Sequence, residues 1–168
     1  SVGVPALPVT HAATNTTIDN VTYELSSEGK HYIVQSVMDK TSTAPIEIKD
    51  YIDGVPVTEI GNHGLGGTTS GDAPKAINIT FENADLITKI GESAFAYSLA
   101  TNAITLYNIT EVPDRAFYGA KFSGIQLDGT KISKVGKYAF YDVAATNAIT
   151  LNNITEVPDS VFDFSKFS

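Results

Sequence analysis

ITKIGESAF (87–95), ITEVPDRAF (109–117), ISKVGKYAF (132–140) and ITEVPDSVF (154–162) are one phrase written four times. Their starts lie 22, 23 and 22 residues apart, a period at which self-similarity signals stacked solenoid coils. A longer period is superposed: ATNAITLYNITEVPD (100–114) returns as ATNAITLNNITEVPD (145–159) with one Tyr-to-Asn change. A 45-residue double repeat this faithful marks recent duplication, and it speaks of architecture before chemistry.

Each unit divides into two parts with different physics. Ahead of each phrase stands a short alternating run: Ile46/Ile48, Ile79/Phe81, Ile104/Leu106, Ile125/Leu127 and Ile149/Leu151. Period-two alternation is the mark of a half-buried strand, so five strands in one parallel sheet are expected, with these side chains inward. The phrase then turns the chain. Gly61, Gly91 and Gly136 alternate with Pro113 and Pro158 at one slot, and both residue types suit a corner. The segment after the corner, ESAFAYS, DRAFYGA or KYAFYDV, is too short for an independent helix, and a single helical or 3-10 turn is expected there. Phe95, Phe117, Phe140 and Phe162 then fall into a column opposite the strands.

Outside the phrases the texture changes. Residues 1–20 read as a leader or linker, small and polar, with a faint cleavage-site look at 9–13 but no charged start or full apolar segment. VTYEL, SSEGK and HYIVQSV predict a β-hairpin, and 21–45 is assigned to that hairpin and a bridge, covering the open end of the core. The solenoid is expected over 46–168 as about five turns, with a degenerate first copy in which His63, Gly64 and Leu65 replace Ser-Ala-Phe. GGTTSGDAPK (66–75) is expected as a bulging loop. At the carboxyl end no strand or polar cap comes after the fourth phrase; either the chain is a fragment of a longer array, the reading preferred, or Phe162, Phe164 and Phe167 close the end. An uncapped end would drive self-association.

IDGVPVTEIG (52–61), ITKIGESAF and ISKVGKYAF resemble the BspA-type leucine-rich repeats of bacterial surface proteins, whose consensus alternates an I-x-I strand with V-x-x-I-G-x-x-A-F. The resemblance covers about 46–162. Departures are Ser98 or Ala120 at a frequent Cys, Tyr107, Asp128 or Asn152 at a Pro, and Pro113 and Pro158 at the Gly. The resemblance implies a leucine-rich-repeat solenoid with short parallel strands on one face and turns or 3-10 segments on the other. It also implies export, display at the bacterial cell surface or outside the cell, and adhesion by binding a protein or glycan on a host or neighbouring cell.

Composition narrows the chemistry. Eleven basic against 19 acidic residues give a net charge of -8, which disfavours nucleic acid and anionic lipid. Zero cysteines exclude disulfides, thiolate nucleophiles and thiolate metal sites. No apolar run is long enough to enter and span a bilayer. His11, His31 and His63 lack ligand spacing, and Glu111/Asp114 recur as Glu156/Asp159, which suits turn or capping roles better than an acid/base pair. No phosphate loop, nucleophile elbow or calcium loop is present, so neither an enzyme nor a cofactor is expected. Five N-x-T sequons, at Asn15, Asn20, Asn78, Asn108 and Asn153, are accounted for by composition and duplication and are expected to be unmodified.

The binding expectation rests on the strand residues that alternate with the buried ones. These are Glu47 and Lys49, Thr80 and Glu82, Thr105 and Tyr107, Gln126 and Asp128, Thr150 and Asn152. In a solenoid such positions line an extended outer face. Tyr107 stands out, because its twin is Asn152 and aromatic side chains are favoured at binding hot spots. The alternative is a spacer or display segment with no ligand of its own, a reading that near-identical twin repeats favour.

Overall fold

The computed structural model describes residues 1–7 and 14–167; His11 and the 9–13 stretch lie outside the described residues. The chain begins with an antiparallel meander of β1 (Asn15–Ile18), β2 (Val21–Leu25) and β3 (Tyr32–Val37). The β2–β3 hairpin is the one expected. β1 lies within the stretch expected as linker: its four residues are too few to show a pattern, and it is held by a two-residue turn at Asp19 and Asn20, both at positive φ. Val21, Tyr23, Val34 and Val37 form the cap's buried side. The Tyr23 hydroxyl accepts the Lys49 N–H at 3.0 Å, tying cap to first coil. Burial pushes its phenol up to about 12.

The alternating runs pair in parallel, two by two. β4 (Ile46–Ile48) sets Ile46 opposite Ile79 of β7 (Ile79–Phe81), and β9 (Ala103–Leu106) sets Ile104 opposite Ile125 of β11 (Gly124–Leu127). The continuous sheet expected from sequence is interrupted by asparagine. Between β7 and β9, Asn102 takes the Ile79 N–H on its Oδ1 (3.0 Å) and donates its Nδ2 to the Ile79 carbonyl (2.7 Å). A carboxamide carries the same donor and acceptor as a peptide group, so this side chain fills the place of a strand residue. Asn147 repeats the pattern on Ile125 at 2.8 and 2.7 Å. The fifth run is not a strand; Ile149 and Leu151 only pack, half-buried, against the core.

The phrase, expected as a corner, also carries a second ladder. β5 (Tyr51–Ile52) and β6 (Val55–Ile60) make a hairpin around Asp53-Gly54, both at positive φ, as a tight two-residue turn requires. The cap's β3 and then β8 (Lys89–Ile90) lie parallel to β6, and β10 (Glu111–Val112) lies parallel to β12 (Lys134–Val135). Ile60, Ile90, Val112 and Val135 point inward, while Glu59, Lys89, Glu111 and Lys134 alternate in sign outside. Glu59 meets Lys89 at 3.5 Å. Beyond this ladder Gly91 and Gly136 pass so close to the preceding coil that a Cβ would lie 2.6 Å from the Asn62 nitrogen or 2.3 Å from that of Asp114. Asn62 and Asp114 in turn accept the N–H groups of Glu92 and Lys137, each at 2.9 Å, which gives Asp114 the capping role expected for it.

The segment after the corner is a run of overlapping β-turns, not the expected helical turn. The N–H groups of Ala94, Ala96 and Ser98 donate three residues back, at 3.1 to 3.3 Å. The intervening N–H groups of Ser93, Phe95 and Tyr97 donate to Asp114, Ala116 and Tyr118 of the next coil. Every fourth residue takes positive φ: Ser93 and Tyr97, Arg115 and Gly119, Tyr138 and Asp142. The 3-10 turn present, Ala84–Leu86, sits between β7 and β8. Inside, Phe95, Phe117, Phe140 and Phe162 stack with centroids 5.2, 5.6 and 5.5 Å apart and planes within 6°. Leu65 begins the column, as the degenerate copy predicts, and Phe162 at the last coil is 37% exposed. Five residues after each Phe the core alternates small and large: Ala100, Phe122, Ala145, Phe167. Phe122 packs edge-on to Phe95, and Phe167 edge-on to Phe140.

The spacer at 66–75 folds back onto the bridge: Ala73 and Pro74 are buried and the Lys75 N–H donates to the Lys40 carbonyl at 3.0 Å. Asp72 closes the loop by accepting from the Thr68 hydroxyl (2.6 Å) and the Thr69 N–H (2.8 Å).

Candidate functional site

The outward strand residues divide into two groups. Near the cap, Glu47 stands beside Thr80 in the β4–β7 ladder, and just past it Lys49 and Glu82 form an ion pair at 3.1 Å. The Glu82 carboxylate holds the Lys49 ammonium above its ordinary range, through hydrogen bond first and charge second. This pair satisfies itself, so its net contribution at the surface is small.

Farther along, Thr105 stands beside Gln126 in the β9–β11 ladder. The Tyr107 hydroxyl donates to the Gln126 Oε1 at 3.2 Å, and its ring remains 43% exposed. Tyr107, Asp128, Thr150 and Asn152 line one cleft of about 590 Å³ with Leu127, Gly129, Thr130 and Ala148. Asp128 is fixed by accepting the Thr130 hydroxyl (2.6 Å) and N–H (3.0 Å), which hold its carboxyl below the usual range. Gly129 admits no side chain, since its Cβ would lie 1.5 Å from the Thr150 carbonyl oxygen. Four of the expected residues, Gln126, Asp128, Thr150 and Asn152, are thus gathered around Tyr107, whereas Lys49 and Glu82 are paired apart and Thr105 is half-buried.

The cleft offers an aromatic ring, an ionised carboxylate, hydroxyls and amides. Such groups can stack against, pair in charge with and hydrogen-bond to a ligand. Among the described residues no three His, Asp or Glu side chains gather to hold a metal ion. His31 lies 3.5 Å from Glu59, and His63 occupies a turn at positive φ. Asn108 and Asn153, two of the sequons, donate their amide nitrogens to the carbonyls of Asp85 and Thr130 in the coil before.

A second surface feature was not expected. Tyr97, Tyr118 and Tyr141 form a ladder on the turn side, with centroids 5.3 and 4.7 Å apart, continued by Phe164 at 5.5 Å. Tyr138 packs edge-on to Tyr141 at 5.6 Å and carries the Arg115 guanidinium 5.2 Å above its ring. The four tyrosines and Arg115 line a cleft of about 360 Å³ with Thr68 and Ser93. Burial, and then the neighbouring Tyr97, raise the Tyr118 phenol above its ordinary value.

The family model described as BspA type leucine rich repeat region matches residues 72–168 in six copies. None of the curated proteins matches the chain. Among solved structures, a T. pallidum leucine rich repeat protein superposes with a TM-score of 0.71 at 16% identity, over 92% of this chain and 70% of that one. A leucine rich cell surface protein from Faecalibacterium prausnitzii A2-165 superposes with a TM-score of 0.52 at 13% identity, over 94% of this chain and 54% of its own. The chain therefore spans about half the length of the second protein. At these identities both similarities concern the fold.

Proposed function

Because the chain belongs to the BspA-type leucine-rich-repeat family, we propose that it is a binding module of a bacterial cell surface, recognising a protein or glycan on a host or neighbouring cell through its strand face. The reading is supported by the cleft beside Tyr107, where Asp128, Thr150 and Asn152 converge on a half-exposed ring. Tyrosine gives contact area at low entropy cost, and a carboxylate already held by Thr130 is oriented before a ligand arrives. Surface placement accords with the name of the Faecalibacterium protein. Among the described residues no helix is long and apolar enough to cross a membrane. The family is one of repeat scaffolds, and no catalytic role, cofactor or nucleic-acid partner enters the proposal.

The test is an array of host glycans and immobilised serum and matrix proteins, probed with the intact chain and with Tyr107→Ala/Asp128→Ala. A ligand retained by the wild type and weakened at least about tenfold in the variant, a difference near 1.4 kcal/mol, supports the strand face. Equal binding by both removes that face. The second reading, a spacer or display segment, is favoured by the near-identity of 100–114 and 145–159; it predicts no retained ligand with either protein.

A further inference from the structure

We propose that the tyrosine ladder is an oxidative cross-linking site, at which Tyr118 and Tyr141 of neighbouring coils are joined as dityrosine. Their rings lie 4.7 Å apart between centroids and 14° from parallel, and both are half-buried, held in place yet open to the cleft. Tyr97 at 5.3 Å from Tyr118 and Tyr138 at 5.6 Å from Tyr141 extend the array, so a radical formed on any of these phenols has a neighbour in contact. The chain has no Cys and no Trp to compete as the most readily oxidised side chain. It also has no disulfide to hold one coil to the next.

The co-reactants are hydrogen peroxide and a haem peroxidase acting as a one-electron oxidant. Each phenol loses one electron and its hydroxyl proton to give a phenoxyl radical. The two radicals couple through ring carbons ortho to oxygen, forming one C–C bond. The two ortho hydrogens then move to the oxygens as aromaticity returns. In sum, two tyrosines and one peroxide give one dityrosine and two waters. The product links residues of adjacent coils and leaves their backbone ladder in place; Gly119 N–H already donates to the Tyr141 carbonyl at 2.8 Å.

The experiment treats the full chain at low concentration with peroxide and a haem peroxidase. Dityrosine fluorescence should appear in a species that remains monomeric on a denaturing gel. Trypsin should then release peptide 116–121 joined to 138–166, two hydrogens lighter than the sum of the parts. The treated chain should melt at a higher temperature than the untreated one. Tyr118→Phe and Tyr141→Phe, checked for unchanged circular dichroism, should each lose this product, while Tyr51→Phe, an exposed ring away from the ladder, should keep it. The proposal is overturned if either ladder variant keeps the same intramolecular yield. It is equally overturned if all dityrosine lies between molecules, or if the folded chain forms none while the denatured chain reacts.

Discussion

Asn102 shows how much a single side chain can do in a coil stack. Its carboxamide satisfies both the N–H and the carbonyl of Ile79, groups that would otherwise face a gap between two strand pairs. Asn102→Ala is expected to cost about 1–3 kcal/mol, the range for stranding partly buried backbone groups. Asn102→Asp should recover only part, since a carboxylate accepts but cannot donate; urea melts of the three proteins measure the order. Phe140→Ala is expected to cost about 3–5 kcal/mol, because the ring is fully buried between two stacked neighbours. A loss below about 1 kcal/mol in the same melt would be inconsistent with a packed column. The column was legible because every Phe keeps one place in its phrase. Asn102 was not, because its role depends on a coil spacing that the string of letters does not contain. The tyrosine ladder escaped for another reason. Tyr97 and Phe164 come two positions after their Phe, Tyr118 and Tyr141 one, so aligned phrases show no position after the Phe that is aromatic in all four.

At the scale of elements, inward strand positions were readable from alternation, whereas the turns were not. Repeated positive φ at non-glycine residues such as Ser93 and Arg115 leaves no sequence signature of the glycine kind. It persists because alternate N–H groups reach the next coil, so neighbouring turns enforce each other. The 68–72 loop gives a pH prediction. Hydrogen bonds from Thr68 and then Thr69 lower the Asp72 carboxyl from 3.8 to about 2. A depressed carboxylate stabilises above its unfolded value and loses that contribution as pH falls through the folded one. The loop should therefore stay closed above about pH 4 and loosen as pH falls toward about 2. The Thr69 amide resonance should track that titration, and Asp72→Asn should abolish it. The cleft was legible in part: Tyr107, Asp128, Thr150 and Asn152 fall at outward positions of their alternating runs or just past them, but the turn through Gly129 that brings them round a hollow did not show.

For the molecule as a whole, the last described coil leaves Val157 66% and Phe164 73% exposed, beside the open face of Phe162. Exposed apolar surface of this kind favours association. We expect a sedimentation coefficient that rises with concentration, and Phe164→Lys to suppress that rise; a concentration-independent value for the wild type would contradict it.

The alternation of Glu59, Lys89, Glu111 and Lys134, with Ala100, Phe122 and Ala145 alternating in the core, has an evolutionary corollary. Growth or loss by unequal recombination should be tolerated in steps of two windings. Excising 100–144 rejoins like sequence to like, because ATNAITL resumes at 145. Excising 22 residues would bring two carboxylates or two ammonium groups side by side and seat alanine against alanine where a ring belongs. Natural length variants of such a gene should therefore differ by even numbers of windings.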